Sequence, residues 1–229
     1  MQVSSDLRSA IFEIGRDMVN CKNQCRGVGN DKDKGIIPRC LYFEDDSGDS
    51  SRGAVVVGIN PGNSWSVEQR FYKVRGASYE SVLAYWDSTI KKLGYYSKLR
   101  LLVRQLGFGG SILWTELVKC EDAAKGQDPP LQTFRVCTMT YLRHELELIP
   151  ADWPLIAVSR EAYKALSYLY PVRVVIGIPH PTAARGQFWS LFDNRQLRNE
   201  FKRPFSDWWD GAHGKAGWAD TRDGHFGYR

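Results

Sequence analysis

Four short, almost wholly apolar segments alternate with longer amphipathic segments along the chain. The apolar segments are residues 54–58, 111–118, 154–158 and 172–178. Continuous apolar runs of this length are typical of parallel strands that are buried on both faces. The segments between them, such as 79–106 and 138–148, space their apolar residues as helices do. The pattern therefore predicts an α/β fold, a three-layer α/β/α sandwich around a central four-stranded parallel sheet.

The same pattern predicts a single domain over residues 1–229, because it contains no linker and no internal repeat. Residues 1–52 form an amphipathic helix and a charged, cysteine-bearing loop, and residues 53–190 form the core. Residues 191–229 form a C-terminal helix and a tail that is rich in aromatic residues. For the tail we favour packing on the sheet edge, with base stacking and the lining of a pocket as the alternatives.

Composition fits a folded globular protein, with 43% hydrophobic and 25% charged residues among 229. No apolar run approaches the ~20 residues that a membrane-spanning helix needs. The first residues lack the basic-then-apolar layout of a secretory signal. We therefore expect a cytoplasmic monomer with no membrane partner.

Positive charge is concentrated in one part of the chain. Residues 160–203 hold eight basic and three acidic residues, an excess equal to the net charge of +5 of the whole protein. A local basic surplus is typical of proteins that bind a phosphate backbone. On charge alone, a solvated helix face explains it equally well.

Five cysteines occur in a chain for which we expect a reducing compartment: Cys21, Cys25, Cys40, Cys120 and Cys137. Clustered cysteines in such a compartment indicate a metal site or catalysis rather than disulfides. Their spacing alone leaves a shared metal site and scattered buried thiols equally open.

Three of the predicted strands end in polar residues that can do chemistry. Asn60 follows the first strand, Glu116 ends the second and His180 follows the fourth. Ligands of parallel α/β sheets bind beyond the carboxyl ends of the strands. The three residues therefore predict one site at that edge of the sheet.

The segments around these residues resemble three motifs of the uracil-DNA glycosylase superfamily. GINPG (58–62) is similar to the first motif of the mismatch-specific and single-strand-selective branches. LWTELVKC (113–120) resembles a strand motif of the iron–sulfur branch, and PHPTAARG (179–186) resembles the second motif of the superfamily. The resemblance runs from about residue 10 to about residue 190 in the order of the family. It implies a uracil-DNA-glycosylase-like fold and a monofunctional DNA N-glycosylase that acts by base flipping on double- or single-stranded DNA.

The resemblance also implies roles for individual residues. Asn60 would position the attacking water, and His180 would donate a hydrogen bond to O2 of the departing base. Phe71 would stack on the flipped base, with Tyr72 as the alternative. Arg185 would fill the gap in the duplex, because Ala184 is too small to do so. The remaining candidates are Gly58, Ile59 and Gly62 for base binding and Thr182 for DNA binding.

By the same resemblance, four cysteines would hold a [4Fe–4S] cluster: Cys21, Cys25, Cys120 and Cys137. Zinc in the same site is the alternative. Three residues separate Cys21 from Cys25, where the branch normally has two. Cys40 is left without a role.

Two departures from uracil-removing members bear on the substrate. Glu116 stands where those members carry the Asn that reads the base edge, and glutamate is suited to accept from N4 of cytosine. Gly62 stands where strict uracil enzymes have a tyrosine that blocks C5 substituents. We therefore expect excision of a C5-modified cytosine, such as hydroxymethylated or glucosylated phage cytosine, in anti-phage defence. The alternatives are a DNA-repair glycosylase for uracil or deaminated bases and a non-catalytic DNA-binding relative.

Overall fold

A seven-stranded sheet dominates the computed structural model, which describes residues 5–45, 52–124, 129–183, 186, 188, 189, 191, 216–220 and 225–228. The strands are β1 (Val28–Gly29), β2 (Tyr42–Glu44), β3 (Ala54–Gly58), β4 (Ile112–Glu116), β5 (Glu121–Asp122), β6 (Leu155–Val158), β7 (Val175–Ile178), β8 (Ala216–Asp220) and β9 (His225–Tyr228). The helices are α1 (Ser5–Val19), α2 (Ser66–Arg75), α3 (Tyr79–Ser88), α4 (Gly94–Gln105), α5 (Leu131–Cys137), α6 (Arg143–Leu148) and α7 (Arg160–Leu169).

Short irregular turns complete the helical elements. Lys32–Lys34 and Ile90–Lys92 are 3₁₀ turns, and a π-helical turn at Thr138–Leu142 joins α5 to α6. No helix in the described part of the chain has both the length and the hydrophobicity that crossing a bilayer requires.

The strand order in the sheet is β2-β4-β3-β6-β7-β8-β9. Five neighbouring strands, β4, β3, β6, β7 and β8, run parallel, and β2 and β9 are antiparallel at the two edges. The α/β class with a mostly parallel central sheet, predicted from the apolar pattern, is confirmed. The predicted number of four strands is too small, because three further strands extend the sheet.

Complete burial explains why the four predicted strands are so clear in the sequence. Every residue of β3, β4, β6 and β7 is buried, so each strand is apolar along almost its whole length. The added strands lack this signal. β2 has three residues within a segment that composition assigns to a loop, and β8 and β9 lie in the aromatic tail. Part of that tail therefore extends the sheet edge beside β7, and residues 201–215 lie outside the described ones.

The register of the parallel strands brings the three candidate strand ends together. Gly58 at the end of β3 lies beside Glu116 at the end of β4. On the other side of β3, β6 pairs in turn with β7, and Val158 lies beside Ile178. The segments that carry Asn60 and His180 thus leave the sheet at the same edge as Glu116.

A separate two-stranded ladder connects the N-terminal loop with the segment that follows β4. In it β1 pairs antiparallel with β5, with Val28 opposite Asp122 and Gly29 opposite Glu121. The ladder continues by one bond, because the Ala123 N–H donates to the Gly27 carbonyl at 3.0 Å. Residues about 90 positions apart are therefore held side by side next to the carboxyl edge of the main sheet.

Candidate functional site

A cavity of about 410 Å³ lies at the carboxyl edge of the parallel strands. Asn60, Glu116 and His180 all line it, as the sequence predicts. The predicted base- and DNA-binding residues that also line it are Gly58, Ile59, Gly62 and Thr182. Seven of the residues proposed from the sequence therefore share one cavity.

Asn60 lies in the loop after β3, and the continuation of β4 holds this loop in place. The Leu117 N–H donates to the Gly58 carbonyl at 3.0 Å, and the Val118 N–H donates to the Ile59 carbonyl at 2.8 Å. The side-chain Nδ2 of Asn60 donates to Oδ1 of Asp122 at 2.7 Å. Nothing in the motif resemblance indicates Asp122, because it reaches the site only through the β1–β5 ladder.

Glu116 is 6% exposed and lies against the backbone of Gly58. A Cβ at position 58 would overlap the Glu116 carboxyl group where it now lies, so a larger residue there would force that carboxyl group to move. Oε2 of Glu116 is buried and accepts no hydrogen bond from any described residue. Burial raises the pKa of Glu116 to about 8, although Lys119 and Arg39 oppose the shift. The carboxyl group is therefore mostly protonated at neutral pH.

The cation nearest in sequence offsets the effect of burial on the pKa of Glu116 only in part, and its charge is also paired with another carboxylate. Lys119 is fully buried, and its Nζ lies 2.8 Å from Oε1 of Glu145, which is also fully buried. Thr115 Oγ1 donates to the other carboxylate oxygen of Glu145 at 2.5 Å. Toward Glu116, Lys119 Nζ donates only to the backbone carbonyl, at 2.8 Å.

His180 follows β7, and its surroundings define its tautomer. Nδ1 faces the backbone N–H groups of Thr182 at 3.3 Å and Ala183 at 3.1 Å. Because those groups can only donate, Nδ1 accepts and the ring proton of the neutral form lies on Nε2. Burial lowers the pKa of His180, and the ring of Tyr95 packs 5.2 Å away from the imidazole, centroid to centroid. A neutral imidazole with an Nε2–H donor results.

Neither Phe71 nor Tyr72, the predicted stacking residues, lines the cavity as described. The Phe71 ring packs on Tyr85 at 5.0 Å and under the guanidinium of Arg75. Tyr72 is 1% exposed, and its hydroxyl donates to Oε1 of Glu68 at 3.2 Å. Both rings contact Tyr85 and so contribute to the packing of α2 on α3.

Other aromatic side chains form the cavity wall: Tyr42, Trp65, Tyr95 and Tyr96. Trp65, directly before α2, is 54% exposed at the cavity. Tyr95 lies in the first turn of α4, right after the helix break at Gly94 that the sequence indicates. An aromatic residue next to a helix break is the feature of the sequence that could have indicated Tyr95 as a cavity residue.

Gly62 leaves open space in the loop that carries Asn60. A Cβ placed on Gly62 would meet no described atom within 4 Å. Its carbonyl oxygen accepts from the guanidinium of Arg39, which is 4% exposed. Arg39 also forms ion pairs with Glu68 at 3.0 Å and with Glu121 at 2.8 Å. The loop is thus firmly held, yet it places no side chain beside the cavity at this position.

The predicted DNA-contacting residues are only partly described. Thr182 is exposed at the cavity, whereas Ala184 and Arg185 lie outside the described residues. Within the basic segment, Arg160 and Lys164 are exposed on α7. Arg173 instead donates to the carbonyls of Pro150 at 3.1 Å and Trp153 at 2.9 Å, which gives it a structural role.

The four cysteines predicted as ligands line one small cavity, which Val28 of β1 also lines: Cys21, Cys25, Cys120 and Cys137. As placed, no three Cys, His, Asp or Glu side chains of the described residues approach closely enough to hold a metal ion. Burial raises the pKa of Cys137 to about 11 and raises that of Cys120, where the neighbouring thiols add to the effect.

The donor set nevertheless fits a thiophilic metal. Four sulfur donors around one cavity are the ligand type that zinc or an iron–sulfur cluster prefers, and the side chains would have to draw together to bind either. The Lys119 N–H already donates to Sγ of Cys137 at 3.2 Å, the kind of bond that supports a bound thiolate.

Cys40 lies apart from these four cysteines. It is buried in the wall of the main cavity, with a positive φ of 67°. Its sulfur lies 3.8 Å from the hydroxyl groups of Tyr96 and Tyr42. Cys40 therefore belongs to the main cavity and not to the thiol-lined one.

No protein-family model matches the chain, and a search of curated proteins finds no match.

Proposed function

We propose that the protein is a monofunctional DNA N-glycosylase with the three-layer α/β/α fold of the uracil-DNA glycosylase superfamily. It takes a flipped-out base from DNA and leaves an abasic site. The observation that carries the proposal is the convergence of Asn60, Glu116 and His180 on one cavity at the carboxyl edge of the sheet. The three side chains supply a water-positioning acceptor, a base-edge reader and a hydrogen-bond donor for the leaving base.

His180 stabilises the departing base. When the bond between C1′ and the base nitrogen breaks, its electron pair leaves with the base, and negative charge develops on the base. The Nε2–H of neutral His180 donates to O2 and stabilises that charge. A fixed donor in a partly dehydrated cavity stabilises the transition state by about 2.7–4 kcal/mol in comparable oxyanion sites.

Asn60 orients the nucleophile. The sugar in the transition state resembles an oxocarbenium ion and needs an oriented water molecule more than a strong base. The water oxygen bonds to C1′, and one water proton ends on the free base, so the products are the abasic sugar and the neutral base. An amide oxygen on Asn60 is sufficient to hold one water proton and direct a lone pair at C1′.

Glu116 and Gly62 support a C5-modified cytosine as the substrate. A protonated carboxyl group can donate to N3 of cytosine and accept from N4, which matches the edge of this base with two hydrogen bonds. The open space at Gly62 leaves room for a substituent at C5. Hydroxymethylated and glucosylated cytosines of phage DNA fit this description, and their excision would act in phage defence.

One observation favours a second candidate, a repair glycosylase for uracil or deaminated bases. The raised pKa of Glu116 keeps its carboxyl group protonated, and a protonated group can turn over. It then accepts from N3–H of uracil and donates to O4. Selection between the two bases depends on which orientation the surroundings of Glu116 favour.

The proposal is tested with duplexes that carry uracil, 5-hydroxymethylcytosine or its glucosylated form, followed by alkaline cleavage at abasic sites. We expect release of a modified cytosine, its loss in Asn60→Ala, and wild-type release in Asn20→Ala, an exposed control. Glu116→Asn should shift preference toward uracil. Release of uracil alone would select the repair enzyme. DNA binding without any base release would contradict the proposed activity.

The cysteine cavity would hold the cofactor, a [4Fe–4S] cluster or zinc, through Cys21, Cys25, Cys120 and Cys137. When bound, it would supply a structural cross-link between the N-terminal loop and the segment after β4. DNA would bind through phosphate contacts on the basic segment, so affinity should fall steeply with salt.

A further inference from the structure

Asn60 and Asp122 form a hydrogen-bonded pair beside the cavity. The distance from Asn60 Nδ2 to Asp122 Oδ1 is 2.7 Å, between residues that are 62 positions apart in the chain. A carboxylate can only accept hydrogen bonds. The NH₂ end of the Asn60 amide must therefore face Asp122, and the amide oxygen takes the opposite end of the group.

This constraint matters because the two ends of an amide have nearly the same shape and opposite hydrogen-bonding character. An Asn side chain without a fixed partner offers the cavity a donor in one orientation and an acceptor in the other. An acceptor takes a proton of the water and leaves a lone pair free for the sugar. A donor would bind that lone pair and withdraw it from the reaction.

Asp122 is itself held from several sides. It lies in β5, opposite Val28 of the N-terminal β1. Its backbone carbonyl accepts from Nδ2 of Asn63 at 3.0 Å, and the next residue bonds to Gly27. The carboxylate is thus anchored by the ladder behind it and by the motif loop in front of it.

We propose that Asp122 is the positioning residue that fixes the orientation of the Asn60 amide, so that its oxygen receives the attacking water. This inference rests on the proposed glycosylase function. It assigns a catalytic consequence to a residue that lies outside the three motifs.

The test combines kinetics with a signal that does not depend on activity. In Asp122→Asn the residue at 122 offers either a donor or an acceptor, so the Asn60 amide is no longer fixed. We expect single-turnover base release to slow by about 10- to 100-fold, with DNA affinity within about 3-fold of wild type. Asp33→Asn, the same change at an exposed position in the N-terminal loop, should release base at the wild-type rate.

A double variant separates positioning from a general structural role. In Asn60→Asp combined with Asp122→Asn, the amide at 122 donates to the carboxylate at 60, and an acceptor again faces the water. Release should recover by at least about 10-fold over Asp122→Asn. An Asp122→Asn rate within about 2-fold of wild type, or a double variant no faster than Asp122→Asn, would overturn the inference.

The side-chain NH₂ signal of Asn60 in ¹⁵N NMR spectra reports the pair directly. It should show slow hydrogen exchange in the wild type and fast exchange in Asp122→Asn. If the wild type released no base, the proposed function would fail and with it the catalytic meaning of the pair. If the wild type releases base but the Asn60 NH₂ group exchanges fast, the inference is overturned and the proposed function still stands.

Discussion

The Glu116 carboxyl group is buried against Gly58 without a described partner for Oε2, so its ionised form is the unfavourable one. Its pKa rises from 4.5 to about 8 on folding, which means that the folded chain binds this proton more tightly than the unfolded chain. The resulting contribution to stability is complete below pH 4.5. It is lost as the pH rises toward 8, and above that value the buried charge remains a penalty.

Replacing Glu116 by glutamine should therefore stabilise the protein in alkaline solution. In Glu116→Gln we expect the free energy of unfolding at pH 9 to exceed that of wild type by on the order of 5 kcal/mol. Near pH 4 the same substitution should change it little. Urea unfolding at the two pH values measures the difference. Equal effects of the substitution at both values would show that Glu116 ionises freely in the folded state.

Protonation of Glu116 should also determine the rate at which a cytosine derivative is released. Above pH 8 the ionised carboxylate cannot donate to N3, so base release should fall by about tenfold per hydrogen bond lost. Glu116→Gln retains one donor and one acceptor at every pH and should keep its rate. Single-turnover release measured from pH 6 to pH 9.5 gives both profiles. An alkaline decline of the same size in Glu116→Gln would assign it to another group.

At the scale of residues, the predictions from the sequence were most successful for polar residues that lie at the ends of strands. Asn60, Glu116 and His180 were predicted to converge because parallel strands end at one edge, and they line one cavity. The position of Asp122 could not be predicted from the sequence. It depends on pairing between two strands of two residues each, and strands this short show no periodic pattern. Phe71 was predicted to stack on the base, and it does not line the described cavity. A helical segment does not reveal which of its aromatic residues faces a cavity.

At the scale of elements, the first turn of α4 carries an aromatic side chain that a flipped base would meet if the proposed function holds. Tyr95 lines the cavity and packs on the His180 ring, whereas Phe71 on α2 packs on Tyr85. Stacking of a base on an aromatic ring contributes about 1–3 kcal/mol.

The two aromatic residues should respond differently to the same substitution. Tyr95→Leu should lower single-turnover base release by about 10-fold or more, because base stacking is lost. Phe71→Leu should lower the melting temperature by a few degrees and leave release within about 2-fold of wild type. Release assays and thermal unfolding of both variants test this. Equal rates of base release in the two variants would show that Tyr95 does not stack on the base.

The elements found from the sequence differ from those missed in one physical respect. β3, β6 and β7 are buried on both faces, so the apolar run itself marks the strand. β2 pairs antiparallel at the sheet edge over three residues that include Glu44, and β8 includes Gly217 and Asp220. β2 lies at the sheet edge, where a strand has one exposed side and tolerates polar residues. β8 lies between β7 and β9, and its Gly and Asp residues interrupt the continuous apolar run that would mark it in the sequence.

At the scale of the whole molecule, the four candidate metal ligands come from two distant parts of the chain. A metal that binds only the folded chain stabilises it by about 4 kcal/mol at a thousandfold excess over its Kd. Iron and zinc analysis of anaerobically purified protein should find one of the two metals. A strong chelator or Cys21→Ser should remove it and lower the unfolding midpoint, while Cys40→Ser should keep it. If the protein contains neither metal and a chelator leaves its unfolding midpoint unchanged, the four thiols serve only the packing of the protein.

The guanidinium of Arg39 links three parts of the chain around the cavity. It contacts the Gly62 carbonyl, Glu68 on α2 and Glu121 on β5, and Glu121 also accepts from the Ser64 N–H at 2.8 Å. Breaking one of these contacts leaves buried charge unpaired, which is unfavourable enough to make the others open with it. In native-state hydrogen exchange, the amides around Ser64 and Glu121 should therefore share a single opening free energy. The walls of the cavity would behave as one cooperative unit that is either fully assembled or fully open.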